Sequence, residues 1–172
     1  MGILVAGILV ITTFLVASSL MFGSMLNGSL EQTQALKDLA VISKRFAGSA
    51  LNITSAVVDT PGGGDVTVVV DNTGSESVFD FADMDVIIQY TDVSENLTLT
   101  YLDFNSLAAG VNEWTVPVTG VQPDSFNPKV WDSDEVLTIN IQVDPKIKSG
   151  SAAHVVVGTP QGVADQSDLT NP

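Results

Sequence analysis

The first thirty residues, Met1 to Leu30, contain no charged side chain, and the whole net charge of −14 lies in the rest of the 172-residue chain. A helix rises about 1.5 Å per residue, and a bilayer core takes about 20 apolar residues to cross. The run from Met1 to Leu26 meets that length. No Lys or Arg stands before it, although basic residues orient a membrane anchor and make up the n-region of a secretory signal. The pattern predicts that a basic leader has been removed, so that an apolar helix begins at the new terminus and packs against protein or lipid. The run also exceeds the roughly 7–15 apolar residues of a signal peptide. Gly2, Ala6, Gly7, Ala17, Ser18, Ser19, Gly23 and Ser24 are spread through it. Small residues let helices approach closely in an apolar setting.

From Asn27 to about Ala50 the pattern stays helical but becomes amphipathic. Ala35, Leu39, Ile42, Phe46 and Ala50 recur at three- and four-residue spacing, a narrow apolar stripe. Glu31, Lys37 and Asp38 are the first charges, and Lys44 and Arg45 sit where cations favour a helix C-terminus. No proline interrupts residues 1–60. One helix of about 45–50 residues, roughly 70 Å long, is the expectation, with residues 1–50 forming a first domain.

After Leu51 the period switches to two. Val66, Val68 and Val70 share one face, and Met84, Val86, Ile88 and Tyr90 another. Leu97, Leu99 and Tyr101 alternate with Thr98 and Thr100, while Leu137, Ile139, Ile141 and Val143 alternate with polar residues. Asn52–Asp59, Glu113–Val118 and Ala153–Thr159 are shorter candidates. Turn signals such as Pro61-Gly-Gly-Gly64 and Gln122-Pro-Asp124 separate them. One-sided alternation belongs to antiparallel sheets with one wet face, and about seven short strands over ~110 residues fit a β-sandwich. The expected fold is α+β: a long N-terminal hydrophobic helix, then an antiparallel Ig-like β-sandwich over residues 51–172.

Beyond residue 50 there are 18 acidic and three basic residues, Lys129, Lys146 and Lys148. Such a surface repels nucleic acid and anionic lipid, which excludes DNA or RNA as a partner. Cysteine is absent, removing disulfides, thiolate metal sites and thiol nucleophiles together. His154 is the one histidine and has no recognisable partner acid in the sequence, so it reads as structural. Gly62-Gly-Gly64 lacks the Lys-Ser/Thr and helix of a phosphate cradle. No catalytic, cofactor or metal residue is assigned, and the chain does not read as an enzyme. Asp80, Asp83 and Asp85, and Asp132, Asp134 and Glu135, are grouped closely enough to hold Ca²⁺ or Mg²⁺. They lack the spacing of an EF-hand loop and read as solvated acidic faces. Three N-glycosylation sequons occur, at Asn27, Asn52 and Asn96. Asn96, after a turn at a strand start, is the best acceptor, Asn52 the next, and Asn27 inside a helix the worst.

The layout resembles the archaellins, the archaeal flagellins of the type IV pilin-like superfamily. The resemblance lies in the uncharged opening Met1-Gly-Ile-Leu-Val-Ala-Gly-Ile-Leu-Val10, its amphipathic continuation and the Thr/Val-rich sandwich. It continues through Trp131-Asp-Ser-Asp-Glu-Val-Leu-Thr-Ile-Asn-Ile141 to His154-Val-Val-Val-Gly-Thr-Pro-Gln-Gly162. Bacterial type IV pilins usually carry Glu at the fifth mature residue, where this chain has Val5, which favours the archaellum branch.

The resemblance implies a precursor that is transiently membrane-inserted, processed by a peptidase, and polymerised by an ATPase-driven motor platform. The product is an extracellular surface filament, a homopolymer for swimming motility. Its core would be the bundled helices, with Ile3, Leu4, Ile8, Ile11, Phe14, Leu15, Leu20, Met21, Phe22 and Met25 as assembly contacts. Two relatives of the same build make alternatives: a membrane-anchored, stator-like archaellum accessory protein and an adhesive archaeal type IV pilus subunit.

Removing residues 1–30 is expected to leave a soluble, β-rich monomer. Circular dichroism reads this directly, and a helix-dominated spectrum would contradict the sandwich.

Overall fold

The computed structural model describes residues 2–124 and 127–172, with the side chains of residues 3–6, 26, 27, 29 and 30 outside the described part. The chain separates into two compact units, Met1–Ser43 and Lys44–Pro172.

A single helix, α1, runs from Gly2 to Gly48. No proline in that stretch removes a backbone donor, and Ala, Leu, Met, Gln, Glu, Lys and Arg along it favour the helix. The helix ends where Ser49 N donates to Arg45 O. The chain beyond is then pinned. Gly48 O accepts from Ser75 N and Glu76 N, and Ala50 O accepts from Thr73 N and Gly74 N. Gly74 has a specific reason to be glycine: a Cβ there would collide with Gly48 O and Ala50 N.

Among the described residues nine strands follow: β1 Leu51–Val58, β2 Asp65–Asn72, β3 Asp85–Thr91, β4 Leu97–Phe104, β5 Glu113–Thr115, β6 Val121–Gln122, β7 Val136–Gln142, β8 Ala153–Gly158 and β9 Ala164–Asp168. They pair in the order β1-β2-β7-β5-β4-β3-β8-β9, with β6 also on β7. One layer is β1-β2-β7 with β5 and β6, and the other is β4-β3-β8-β9. The layers meet at one edge through a short parallel pairing, Asp103 with Glu113 and Phe104 with Trp114. At the opposite edge Val58 N donates to Thr170 O and Thr170 N to Ala56 O. Short pairings thus bridge the two layers on both sides, a near-barrel.

Alternation places the core. Val66, Val68 and Val70 of β2 face inward with Leu137, Ile139 and Ile141 of β7, against Val86, Ile88 and Tyr90 of β3 and Val155 and Val157 of β8. Trp114 and Trp131 are fully buried. Trp131 Nε1 donates to Glu135 O at 2.9 Å, and Trp114 packs on Phe104 with ring centroids 4.7 Å apart.

The strand count differs from the seven expected. β6 and β9 are the additions, and β9, Ala164-Asp-Gln-Ser-Asp168, has no buried residue and hence no apolar period. β5 stops at Thr115 rather than Val118, because Pro117 cannot donate to a ladder. β4 extends to Phe104, beyond Tyr101.

Truncating Ile139, which is fully buried, to Ala is expected to cost about 2–5 kcal/mol, read as a lower denaturant midpoint. A change within error would mean that this layer is not the core.

Candidate assembly helix and surface sites

The apolar span Gly7–Met25 has no residue buried by the rest of the chain. Ile8, Ile11, Phe14, Leu15, Leu20, Met21, Phe22 and Met25 are all exposed. Of the assembly residues read from the sequence, Ile3 and Leu4 lie outside the described side chains. The two threonines in this span bond to the helix itself. Thr12 Oγ1 donates to Ile8 O and Thr13 Oγ1 to Leu9 O, both at 2.6 Å. Each hydroxyl is satisfied by its own helix, so neither asks anything of the surroundings. Gly7 and Gly23 have open space where a Cβ would stand. Glycine in a helix interior costs roughly 0.5–1 kcal/mol against alanine, and no packing within the chain requires it at either position.

Asn96 lies just before β4 in the β3–β4 hairpin, with an exposed side chain. Its Nδ2 donates to Asp92 Oδ2 at 3.1 Å. Asp92, nearly buried, also accepts from Ser94 N at 2.7 Å and Asn96 N at 2.8 Å. These bonds, that of the Asn96 backbone first, hold its carboxyl below the ordinary aspartate range. The hairpin thus presents Asn96 in one orientation. The sequence reading missed this anchor, although Asp92-Val-Ser-Glu-Asn96 is a legible Asx-turn pattern. Asn52 is exposed on β1, and Thr54 of its sequon donates to Val69 O. The third sequon asparagine, Asn27, lies outside the described side chains.

His154 has a partner acid after all: its Nδ1 meets Asp168 Oδ1, directly opposite across β8 and β9. Both side chains are largely exposed, so the pair is a surface cross-strand contact, worth little energetically. Four of the six clustered acids are engaged by the fold. Asp80 caps the 3₁₀ turn Phe81–Asp83 by accepting from Ala82 N, and Asp85 accepts from Tyr101 Oη at 2.7 Å. Asp132 accepts from Ser77 Oγ and Asn127 Nδ2, and Glu135 accepts from Asp132 N.

A long apolar helix left bare by its own chain, followed in sequence by a closed β-sandwich, defines a pilin-like subunit. The sequence model of archaeal-type flagellin matches residues 3–168, and the chain belongs to that family. It is accordingly an archaellum filament subunit. No curated protein matches it in sequence. Among solved structures, the archaeal flagellum of Methanospirillum hungatei strain JF1 is similar over 97% of this chain and 92% of that one, with a TM-score of 0.64 and 15% identity. Archaeal flagellin FlaB1 from Methanocaldococcus jannaschii matches over 72% and 90%, with a TM-score of 0.52 and 16% identity. The archaellum periplasmic stator protein FlaG from Sulfolobus acidocaldarius matches over 70% and 98%, with a TM-score of 0.50 and 18% identity. At these identities the likeness establishes the fold.

Because the Asp92 carboxyl is held below its unfolded value of about 3.9, its stabilisation is complete above that pH and lost as pH falls through the depressed folded value. Asp92→Ala is expected to lower the thermal midpoint at neutral pH. The gap to the native chain should close as pH drops below about 4; a gap that persists at lower pH would assign the loss to packing instead.

Proposed function

We propose that the chain polymerises with copies of itself into an extracellular helical filament whose core is a bundle of residues 1–50 and whose outer domain is residues 51–172. The observation that carries this is the bare apolar span Gly7–Met25. Apolar surface removed from water yields about 25 cal/mol per Å², and nothing within the chain collects it. Before assembly the same surface is satisfied by lipid, which makes a membrane-inserted precursor the natural intermediate and a motor platform its extractor. A head-to-tail contact that does not close on itself generates a helical polymer.

The proposed core contacts are Ile3, Leu4, Ile8, Ile11, Phe14, Leu15, Leu20, Met21, Phe22 and Met25. They do no chemistry. Thr12 and Thr13, bonded to their own backbone, are compatible with the same dry environment. The outer domain, with its excess of carboxylates, faces solvent and keeps neighbouring filaments apart by like-charge repulsion. His154, Asp80, Asp85, Asp132 and Glu135 are engaged in structural contacts, which supports a role without catalysis or a cofactor. Asn96 and Asn52, both exposed, are the proposed glycan acceptors, and the Asn96 amide is tied to Asp92.

Leu15→Asp and Ile11→Asp are expected to abolish filaments, since an unpaired buried charge costs several kcal/mol. Electron microscopy of sheared preparations, with mass spectrometry of the main protein, provides the readout. Filaments of normal length from either variant would refute the bundle, and a native chain that stays in the membrane and is scarce in the fibres would favour a stator-like role.

A further inference from the structure

One side of β4 is left open over most of its length. β4 pairs with β3 from Leu97 to Leu102, but on its other side β5 reaches only Asp103 and Phe104. Asp92 N donates to Asn96 O at the hairpin, so pairs alternate from there and Tyr90–Thr98 and Ile88–Thr100 exchange the ladder bonds. That alternation turns the N–H and C=O groups of Leu97, Leu99 and Tyr101 toward the open side. Asp103, next in the same series, uses its N–H on that side to reach Asn112 O.

The side chains of the same three residues stand on the outer face, 71%, 70% and 56% exposed. Strand edges are ordinarily blunted by Lys, Pro or an inward charge. Leu97-Thr-Leu-Thr-Tyr-Leu102 has none of these. At the opposite edge, by contrast, Asp165 Oδ2 takes Ile53 N and Thr170 pairs with β1.

We propose that this edge pairs antiparallel with β4 of a second copy of the chain, and that the pairing joins two filaments side by side. The inference rests on the filament reading above. The segment is self-complementary. With Leu99 opposite Leu99 of the second copy, Leu97 faces its Tyr101 and Tyr101 faces its Leu97. All three open donors and acceptors of each strand then find partners, the apolar side chains meet on one face, and Thr98 meets Thr100 on the other. No charge lies within the paired segment of either strand, in a domain that is otherwise strongly acidic.

Such a contact is two-fold and isologous. Subunits of one polar filament are related head to tail, so a two-fold contact links separate filaments rather than subunits of one. A six-residue pairing buries less than the ~1,200 Å² of a stable interface, but many repeated along two filaments act together. Ionic strength gates the process. The repulsion between acidic domains reaches about 10 Å in 0.1 M salt and only about 3 Å at 1 M, so the strand edges meet only when it is screened.

The test uses filaments of the full chain at about 0.05 M and about 1 M NaCl, read by electron microscopy and by the fraction pelleted at low speed. Native filaments are expected to be single at low salt and bundled at high salt. Leu99→Lys filaments should stay single, with about ten-fold less pelleted protein. Leu107→Lys carries the same change at an exposed loop leucine and should bundle like the native chain. In bundles, the amides of Leu97, Leu99 and Tyr101 should exchange more slowly with deuterium. Native filaments that stay single at high salt, bundling of Leu99→Lys, equal loss in Leu107→Lys, or unprotected edge amides would each overturn the inference. A native chain that forms no filaments would overturn the filament reading and this inference with it.

Discussion

Everything in this protein depends on an apolar helix that its own chain does not cover. In a soluble domain an amphipathic helix collects most of its stability by laying one face on a core. Here the span Gly7–Met25 has no such face and no such core. The backbone is satisfied along the helix, and the Thr12 and Thr13 hydroxyls are returned to carbonyls one turn back. What remains is a cylinder of hydrocarbon whose stable environments are lipid and other cylinders like it. On the proposed reading the subunit would have two habitats, and moving between them would exchange one apolar surrounding for another at modest cost.

The β-sandwich solves the opposite problem. It has to remain folded in water without disulfides, and it does so by closing on itself. Inward alternation on β2, β3, β7 and β8 builds one core around Trp114 and Trp131. The short β4–β5 pairing seals one edge, and Thr170 together with Asp165 seals the other. The unsealed stretch of β4 matters because it is free of charge in a strongly acidic domain.

The parts legible in the sequence were those where periodicity and burial coincide. The uncharged N-terminal run read as a helix, and Leu137, Ile139 and Ile141 read as an inward row because apolar and polar residues alternate without interruption. β9 was hidden because an edge strand with no buried side chain carries no apolar signal. β6 was hidden because two residues are too few for any period. On β4 the alternation was visible but its sense was not. Leu and Tyr point outward while the threonines point toward the interior, since at an open sheet edge there is too little opposing layer to reward burying the larger residues. The His154–Asp168 and Asp92–Asn96 contacts show the same limit from two sides. The first spans strands that had to be paired before the acid could be found. The second is local and was readable as a turn motif.

The junction after α1 has a mechanical meaning. The carbonyls of Gly48 and Ala50 are held by four backbone donors, those of Thr73, Gly74, Ser75 and Glu76, and Gly74 keeps that approach possible. A pull or twist delivered along the last turn of the helix therefore does not pass through a single covalent thread into β1. It is shared at once with the segment following β2, and through β2 with the interior of the sandwich. In a fibre that is spun, the load taken up after the last turn of the helix would be carried by backbone, which has no rotamers to slip.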